Sequence, residues 1–595
     1  MNTPSTPPLP YDPIKFSASM GAVAARSQKL IQEFMTQLPE PAASGMAHLQ
    51  AVGAAFIELT QKMMADPMAV ATSAAELWGK YALAWHKASQ RVLFPATKAK
   101  VPSSDPRFKD KAWAENAIFE FIKETYLISA ESILKAVRNV KGLDPKTAHK
   151  VDFYTRQFVD AIAPSNFIGT NPEVLRATIE TGGDNLLRGL SNLLNDLSRG
   201  KGRLAITMTD MNAFRLGENI AATPGKVVAQ NDLMQLIQYT PVTSEVKRRP
   251  LLIVPPWINK FYVLDLRPSN SFIRWAVAQG HTVFVISWAN PDERLATKTF
   301  EDYMFEGPLA ALTFIEQAVG EQEVNAIGYC LGGTLLASTL AYLSAKSSDR
   351  IRSATYFVTL VDFTDVGDMA VFVDEQQISM LERFMKERGY LEANYMATSF
   401  NMLRANDLIW SFVINNYLLG RQPIPFDLLY WNSDATRMPA AMHSFYLRNM
   451  YHENNLVKPG GITLSGVPID LRRVTTPSFL LSTREDHIAP WRSTYAATRI
   501  YSAPMKFVLS ASGHIAGVVN PPGSKYGYWQ NDELPRTPDE WFEKAAPISG
   551  SWWPAWDQWV SEYAGGTVAA RNPGSGKLPA IEDAPGSHVR VRAVV

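Results

Sequence analysis

The sequence contains a single cysteine among its 595 residues. One cysteine cannot form an intrachain disulfide bond or a cysteine-based zinc site, so the sequence does not indicate an oxidising compartment. No apolar run approaches the ~18 residues that a membrane-spanning helix needs. The charges also nearly cancel, because 58 Lys and Arg residues face 57 Asp and Glu residues. The chain therefore lacks the basic excess that would indicate a nucleic-acid partner.

The N-terminal segment Met1–Pro13 lacks the basic and apolar parts of a secretory signal, and we expect a cytoplasmic protein. The sequence is rich instead in apolar side chains: 46% of the residues are hydrophobic, 11% are aromatic and 19% are charged. This balance is typical of a globular protein with an extensive core. At ~150 residues per domain, the length corresponds to roughly two to four domains.

The hydrophobic pattern divides the chain into two regions. Residues 1–205 show helical spacing, most clearly between Ala117 and Val140, and Asp105-Pro106 and Asn171-Pro172 mark turns or helix starts. From about residue 245, short apolar runs alternate with helical segments, as in a parallel sheet covered by helices. The predicted strands are 251–254, 283–286, 324–329, 356–361, 479–481 and 507–509. We therefore predict a helical N-terminal domain, 1–205, and an α/β catalytic domain, 206–595.

Two parts of the catalytic region depart from this alternation. Between Val361 and Ser478 the chain is far longer than one crossover helix, and large apolar residues are frequent in residues 364–432. This segment predicts a helical cap inserted over the active site, with a separate domain as the alternative. Residues 560–595 follow a tryptophan cluster and are rich in Ala, Gly and Pro, so we expect a frayed tail.

The cysteine lies in a catalytic motif. Residues 328–332 read GYCLG, which fits the G-x-C-x-G form of a nucleophile elbow with Cys330 as the nucleophile. The predicted strand 324–329 precedes it and helix-forming residues follow, as the sharp strand–turn–helix geometry of this motif requires. The positive end of that helix favours a thiolate. A buried, inert cysteine is the competing interpretation.

Candidates for the acid and the base follow in the chain order that an α/β-hydrolase requires, nucleophile first, then acid, then histidine. Asp486 lies in the loop after the fifth predicted strand, and His514 lies in a Ser/Gly-rich loop after the sixth. Glu485 and Asp362 are alternatives for the acid, and His487 is an alternative for the base. The sequence thus predicts an α/β-hydrolase fold with a Cys-Asp-His triad.

Acyl transfer also needs two backbone N–H groups that stabilise an oxyanion. Leu331, next after the nucleophile, is the first candidate donor. The second should come from the loop after the first central strand, where Pro255 and Pro256 have no N–H, which leaves Trp257 or Ile258.

Several long motifs together resemble those of the class I poly(3-hydroxyalkanoate) synthases. The motifs are DPRFKDKAWAEN (105–116), PPWINKFYVLDL (255–266), SWANPD (287–292), GYCLGGT (328–334), NDLIW (406–410), YWNSDATRMP (430–439), REDHIAPW (484–491) and SGHIAGVVNPP (512–522). The resemblance covers about residues 105–560. It implies that Cys330, Asp486 and His514 are the catalytic triad.

The resemblance implies the reaction and the partners as well. The substrate would be an (R)-3-hydroxyacyl-CoA, and the products would be a polyester and free CoA, with neither metal nor cofactor. Either His514 or Asp486 would activate the 3-hydroxyl of the next unit. We expect a homodimer in the cytoplasm at the surface of polymer granules, with granule-associated phasins as possible partners. The alternatives are a thioesterase or lipase-like hydrolase with the same triad, and a non-enzymatic granule protein.

Overall fold

The computed structural model describes residues 25–29, 46–93 and 104–593; the segment Met1–Pro13, on which the expected lack of a signal rests, lies outside the described residues. Contacts divide the chain into two units. The described residues up to Asp210 group with Asn401–Ile424, and Met211–Phe400 groups with the residues from Pro425 onward. The domain boundary predicted at residue 205 and the cap at 364–432 stay predictions.

The first unit is helical, as the sequence predicts. Asn171 caps one helix, with Pro172 at its first position, and Asp105 caps a short 3-10 turn, so both predicted helix starts are used. Phe108, Trp113 and Tyr126 form the centre of a small aromatic core. The helices are α1 (Met46–Met64), α2 (Pro67–Leu93), α3 (Ala112–Glu115), α4 (Ala117–Arg138), α5 (Pro145–Ala161), α6 (Pro172–Glu180) and α7 (Asp184–Arg199).

The second unit is built on a mixed sheet of 11 strands whose order is β15-β14-β13-β12-β7-β6-β4-β5-β2-β1-β17. The six strands from β13 to β5 in that order are parallel, and antiparallel strands flank them on both sides. The strands of this sheet are β1 (Gly225–Gln230), β2 (Met234–Tyr239), β4 (Leu251–Val254), β5 (Val283–Trp288), β6 (Val324–Tyr329), β7 (Ile351–Phe357), β12 (Ser478–Thr483), β13 (Met505–Ser510), β14 (Tyr528–Gln530), β15 (Ala546–Ile548) and β17 (Glu582–Asp583).

Short two-stranded pairs and helices complete this unit. The remaining strands are β3 (Glu245–Lys247), β8 (Tyr390–Leu391), β9 (Met438–Pro439), β10 (Thr463–Leu464), β11 (Val467–Pro468) and β16 (Thr567–Ala569). The helices, among them one that runs into the first unit, are α8 (Phe272–Ala278), α9 (Phe300–Met304), α10 (Ala310–Val319), α11 (Leu331–Ala345), α12 (Glu375–Arg388), α13 (Ala393–Leu403), α14 (Asp427–Asn432), α15 (Ala440–Tyr446), α16 (Trp491–Thr494), α17 (Ala497–Ile500), α18 (Pro538–Lys544) and α19 (Trp553–Ser561). The mostly parallel sheet between helices confirms the predicted fold class.

One predicted strand was misplaced. The prediction was 356–361, whereas β7 runs over Ile351–Phe357 and the chain turns at Val358, which has φ +43°. The apolar run misled the prediction because Leu360 and Val361 stay buried after the strand has ended. Arg352 and Ser353, the second and third residues of the strand, are polar and concealed it. Hydrophobicity marks burial here, and burial extends beyond the strand.

The expectation of a frayed C-terminal tail was wrong for the residues that the structure describes. Strand β16 pairs with β3, and β17 extends the main sheet beside β1. Val589 is buried in the main core. These strands have only two or three residues, and the surrounding sequence is rich in Gly and Pro. No periodic pattern therefore indicated them. Among the described residues, no helix is long and apolar enough to cross a bilayer.

Candidate active site

The thiol of Cys330 lies on a sharp turn between β6 and α11. Cys330 has φ 51° and ψ −117°, a backbone conformation that costs free energy in a residue with a side chain and is typical of a nucleophile elbow. Leu331 begins α11, so its N–H has no acceptor within the helix. The turn thus presents a partly exposed thiol and a free helix N–H side by side.

Glycines make this turn possible. A Cβ on Gly328 would lie 2.5 Å from the Cα of Gly333, and a Cβ on Gly332 would lie 2.1 Å from the carbonyl oxygen of Val254. Both distances are far shorter than a van der Waals contact. The first turn of α11 therefore packs directly against the end of β4, from which the loop with the second candidate oxyanion donor leaves.

Two neighbouring parallel strands bring the acid and the base together. Strands β12 and β13 are in register, with Thr483 opposite Ser510 at their carboxyl ends. The loops that follow carry Asp486 and His514, and His514 Nδ1 lies 2.7 Å from Asp486 Oδ2. Tyr329, the last residue of β6, donates from its hydroxyl to the carbonyl oxygen of His514 at 3.1 Å. These contacts place the imidazole at the same sheet edge as the elbow.

Both oxygens of the Asp486 carboxylate accept hydrogen bonds. Its side chain is 0% exposed. Oδ1 accepts hydrogen bonds from the backbone N–H groups of Ile488 and Ala489 at 2.8 and 2.9 Å, and Oδ2 accepts from the Thr483 hydroxyl at 3.2 Å as well as from His514. A carboxylate held in this way orients the ring, because Nδ1 must donate to it and Nε2 is left for the thiol.

The surroundings of His514 favour its charged form. Burial alone lowers the pKa of an imidazole, but the charges of Asp486 and Cys330, together with hydrogen bonds to both, raise the pKa of His514 to about 10. The imidazole beside the sulfur is placed to exchange a proton with the thiol, and a thiolate is the nucleophilic form of cysteine in general. The three side chains can therefore act as nucleophile, base and orienting acid.

The two alternative acids have different surroundings from Asp486. The Glu485 side chain is exposed, although its backbone N–H bonds to the carbonyl oxygen of Ser512. Asp362 accepts hydrogen bonds through Oδ1 from Thr364 and, at 2.7 Å, from the Asn454 amide. The structure thus pairs His514 with Asp486, as predicted for the triad, while the catalytic roles of the triad residues stay predictions.

Residues from other segments of the chain hold the loop after β4 by hydrogen bonds. The Thr436 N–H and hydroxyl both donate to the carbonyl oxygen of Ile258 at 2.9 Å, and the hydroxyl also contacts the Trp257 carbonyl oxygen. The indole of Trp288 donates to the Pro255 carbonyl oxygen at 2.9 Å. With its carbonyl groups bound on one side, the loop is anchored beside the start of α11, where a second oxyanion donor is needed.

Aromatic residues that the sequence did not single out lie near Cys330. Desolvation raises the pKa of the Tyr446 and Tyr451 phenols, and the charge of Cys330 contributes to each rise. Tyr446 is buried, whereas Tyr451 is half-buried. The two rings lie 6.0 Å apart, and Phe363 packs on both, at 6.1 and 5.1 Å between centroids. Both tyrosines lie beyond the predicted cap, and only their aromatic neighbourhood in the sequence could have indicated them. With Phe363 they form an aromatic cluster within electrostatic range of Cys330.

Among the described residues, no group of three or more His, Cys, Asp or Glu side chains is placed to hold a metal ion. The thiol, imidazole and carboxylate of the predicted triad can support nucleophilic acyl transfer. The lack of a cofactor stays a prediction.

Comparison with known protein families divides the chain into two overlapping regions. Residues 104–276 match the model described as the N-terminus of poly-beta-hydroxybutyrate polymerase. Residues 250–521 match the model of the alpha/beta hydrolase fold. The second range spans β4 to the loop after His514 and so includes all three triad positions.

Whole-length relatives are similar over most of the chain. A poly(3-hydroxyalkanoate) polymerase subunit PhaC from Rhizobium meliloti is 51% identical over 90% of this chain and 88% of its own length. A poly(3-hydroxyalkanoate) polymerase from Methylorubrum extorquens is 48% identical over 93% of this chain and 92% of its own length. The corresponding subunit from Cupriavidus necator is 43% identical over 83% and 84%.

Proposed function

Because this chain belongs to the poly(3-hydroxyalkanoate) polymerase family, we propose that it polymerises short-chain (R)-3-hydroxyacyl-CoA, such as 3-hydroxybutyryl-CoA, through an acyl-Cys330 intermediate. The enzyme is an acyltransferase that polymerises hydroxyalkanoates. The observation that carries the mechanism is the hydrogen bond of 2.7 Å between His514 and Asp486, on the loops that face the only cysteine.

The first half-reaction loads the enzyme. His514 takes the proton of the Cys330 thiol, and the sulfur attacks the thioester carbonyl of the acyl-CoA. The N–H groups of Leu331 and Ile258 stabilise the oxyanion of the tetrahedral intermediate. The carbon–sulfur bond to CoA then breaks, and the CoA thiolate takes the proton from His514 and leaves as free CoA. One thioester replaces another, so the acyl group remains activated for transfer.

The second half-reaction forms the ester. The 3-hydroxyl of another unit attacks the acyl-Cys330 carbonyl, the ester bond forms and the sulfur of Cys330 is released. His514, and not Asp486, removes the hydroxyl proton, since both oxygens of Asp486 already accept hydrogen bonds and its side chain is 0% exposed. Nε2 of His514 is the basic atom that remains available.

The aromatic rings near Cys330 support a preference for substrates with a short acyl chain. Tyr446, the half-buried Tyr451 and Phe363 form a ring cluster with centroid distances of 5.1 to 6.1 Å, which would leave little room for a long acyl substituent. We expect kcat/KM to be at least about tenfold higher with 3-hydroxybutyryl-CoA than with 3-hydroxyoctanoyl-CoA, on the scale of one or two excluded methylenes. Equal values for the two substrates would contradict the short-chain assignment.

Product analysis tests the reaction. Purified protein with 3-hydroxybutyryl-CoA should release one CoA for each unit found in insoluble polyester, with almost no free 3-hydroxybutyrate. Free acid equal to the released CoA, without polymer, would instead show a hydrolase. Cys330→Ala should release no CoA and should not gain the mass of an acyl unit, while its thermal unfolding stays close to that of the parent. CoA release by Cys330→Ala would overturn the acyl-enzyme mechanism and support a non-enzymatic or different catalytic role for this cysteine.

The proposal also covers the localisation and the oligomeric state of the protein. We propose a homodimer at the surface of cytoplasmic polymer granules, with phasins as neighbours, on the basis of the family. Light scattering should give twice the chain mass of 66.1 kDa. A fluorescent fusion in polymer-forming cells should coat the granules, whereas uniform cytoplasmic fluorescence would contradict the granule assignment.

A further inference from the structure

A lysine is buried next to the loop that supplies the second oxyanion donor. Lys260 lies two residues after Ile258, and its side chain is 3% exposed. Its Nζ lies 2.8 Å from Oδ1 of Asp434, whose side chain is 1% exposed, and the Tyr262 hydroxyl donates to Oδ2 of the same carboxylate at 2.9 Å. The mechanism above uses neither charge, so this buried ion pair has another role.

The C-terminal segment completes the lysine's surroundings. Lys260 Nζ donates to the carbonyl oxygen of Val589 at 2.7 Å, and Val589 is itself 1% exposed. The short turn that contains Val589 is fixed where the His588 N–H donates to the Gln235 side chain at 3.1 Å. Farther along, the Arg592 guanidinium hydrogen-bonds to the Tyr430 hydroxyl. We call Lys260, Asp434 and residues 588–592 the clamp.

The clamp connects directly to the backbone of the oxyanion loop. The carbonyl oxygen of Lys260 accepts from the Trp431 indole at 2.6 Å, and Asp434 lies two residues before Thr436, which holds the Ile258 carbonyl. The lysine thus joins three segments that are distant in sequence: the loop itself, residues 430–436 and the C-terminal turn. A shift of Lys260 would be transmitted through one intervening residue to the Ile258 peptide.

The chemistry of the pair argues for a positioning role. Burial lowers the pKa of Lys260, which shows that desolvating the ammonium is unfavourable, although Asp434 opposes the shift. A pair of apolar side chains of similar size often stabilises a fold as well as a buried ion pair or better. The charges restrict the geometry instead. An ammonium that faces a carboxylate and a carbonyl oxygen has few positions in which both contacts are satisfied.

We infer that the clamp positions the Ile258 N–H for the oxyanion, so that Lys260 is a positioning residue and residues 588–592 are part of the catalytic apparatus without touching substrate. This inference rests on the proposed acyl-transfer function. Acyl transfer passes through an oxyanion, whereas alkylation of the thiol by iodoacetamide does not. The two reactions of Cys330 therefore separate the clamp from the triad, and the single cysteine makes alkylation specific.

Lys260→Met is the first test, with Lys544→Met as the matched control on an exposed lysine. We expect kcat for CoA release to fall about 10- to 100-fold with Lys260→Met, somewhat less than for outright loss of one oxyanion donor. KM and the rate of Cys330 alkylation should stay within about twofold, as should all constants of Lys544→Met. An unchanged kcat, or an equal fall in kcat and alkylation, would overturn the inference.

The double variant Lys260→Met/Asp434→Leu covers the case in which the single variant fails to fold, because it leaves no unpaired buried charge. A positioning role predicts a thermal midpoint near that of the parent with kcat still reduced at least tenfold. A purely structural role predicts that kcat recovers together with the midpoint.

Arg592→Leu loosens the C-terminal arm alone and should lower kcat by about two- to fivefold, on the scale of one hydrogen bond. No change in kcat would remove residues 588–592 from the clamp.

These outcomes are distinguishable from failure of the proposed function. If the parent releases free acid instead of polymer, the second half-reaction is misassigned, but CoA release still reports on the oxyanion in the first. If Cys330→Ala retains CoA release, the proposed mechanism fails whatever the clamp variants do.

Discussion

Strands β6 and β4 are neighbours in the sheet, and the two turns that leave their carboxyl ends are built by different means. The turn at Cys330 is shaped by its own sequence, since Gly328 and Gly332 allow a close packing that a Cβ would prevent. The turn at Ile258 is shaped by side chains distant in sequence, directly by Thr436 and Trp288 and, through Lys260, by Asp434. Local sterics therefore fix the backbone at Cys330, and tertiary contacts fix the backbone at Ile258.

The largest expected effect concerns the triad. Asp486→Asn should lower kcat about 10³- to 10⁴-fold, because an amide in place of the carboxylate neither stabilises the imidazolium nor holds its Nδ1–H. Steady-state CoA release measures the change. The control is Glu485→Gln, whose side chain is exposed beside Asp486 and should leave kcat within about twofold. A larger loss in the control than in Asp486→Asn would transfer the acid role to Glu485.

The next prediction concerns the pH dependence of stability. The pKa of His514 is about 10 in the folded protein against 6.5 in an unfolded chain, so its protonation stabilises the fold fully below pH 6.5. This contribution, on the order of a few kcal/mol, is lost as the pH rises towards 10. Urea unfolding from pH 6 to 10 should therefore show a steeper decline for the parent than for His514→Gln. Parallel curves would show that Asp486 and Cys330 do not raise this pKa.

Steric control of the elbow predicts a smaller but clear loss of stability. Gly332→Ala should lower the free energy of unfolding by about 1–3 kcal/mol, because the added methyl group would meet the Val254 carbonyl oxygen and must push α11 from β4. Gly79→Ala adds the same group to a helix where nothing lies within 4 Å, and should be neutral or stabilising by up to about 1 kcal/mol. Equal effects of the two changes on thermal unfolding would contradict a steric origin.

The same contrast explains what the sequence could predict. The elbow, the strand before it and the loops of Asp486 and His514 were predictable because each depends on a few consecutive residues. The misplaced strand at 356–361 and the tail expected to fray were not, since burial after β7 and the pairing of β17 with β1 are tertiary facts. Tyr446 and Tyr451 near the thiol, and Lys260 with its acceptors, likewise depend on segments far apart in the chain.

The smallest expected effect tests how firmly tertiary contacts hold the Ile258 turn. Thr436→Val keeps the shape of the side chain and the backbone N–H bond to Ile258, but removes the hydroxyl that donates to the same carbonyl oxygen at 2.9 Å. A hydrogen bond of up to about 1 kcal/mol corresponds to a fall in kcat of roughly two- to fivefold, with the alkylation rate of Cys330 unchanged. Thr436→Ser retains the hydroxyl and should stay near the parent. If both variants lose the same activity, the methyl group and not the hydrogen bond supports the turn, and the contrast between the two turns becomes one of packing alone.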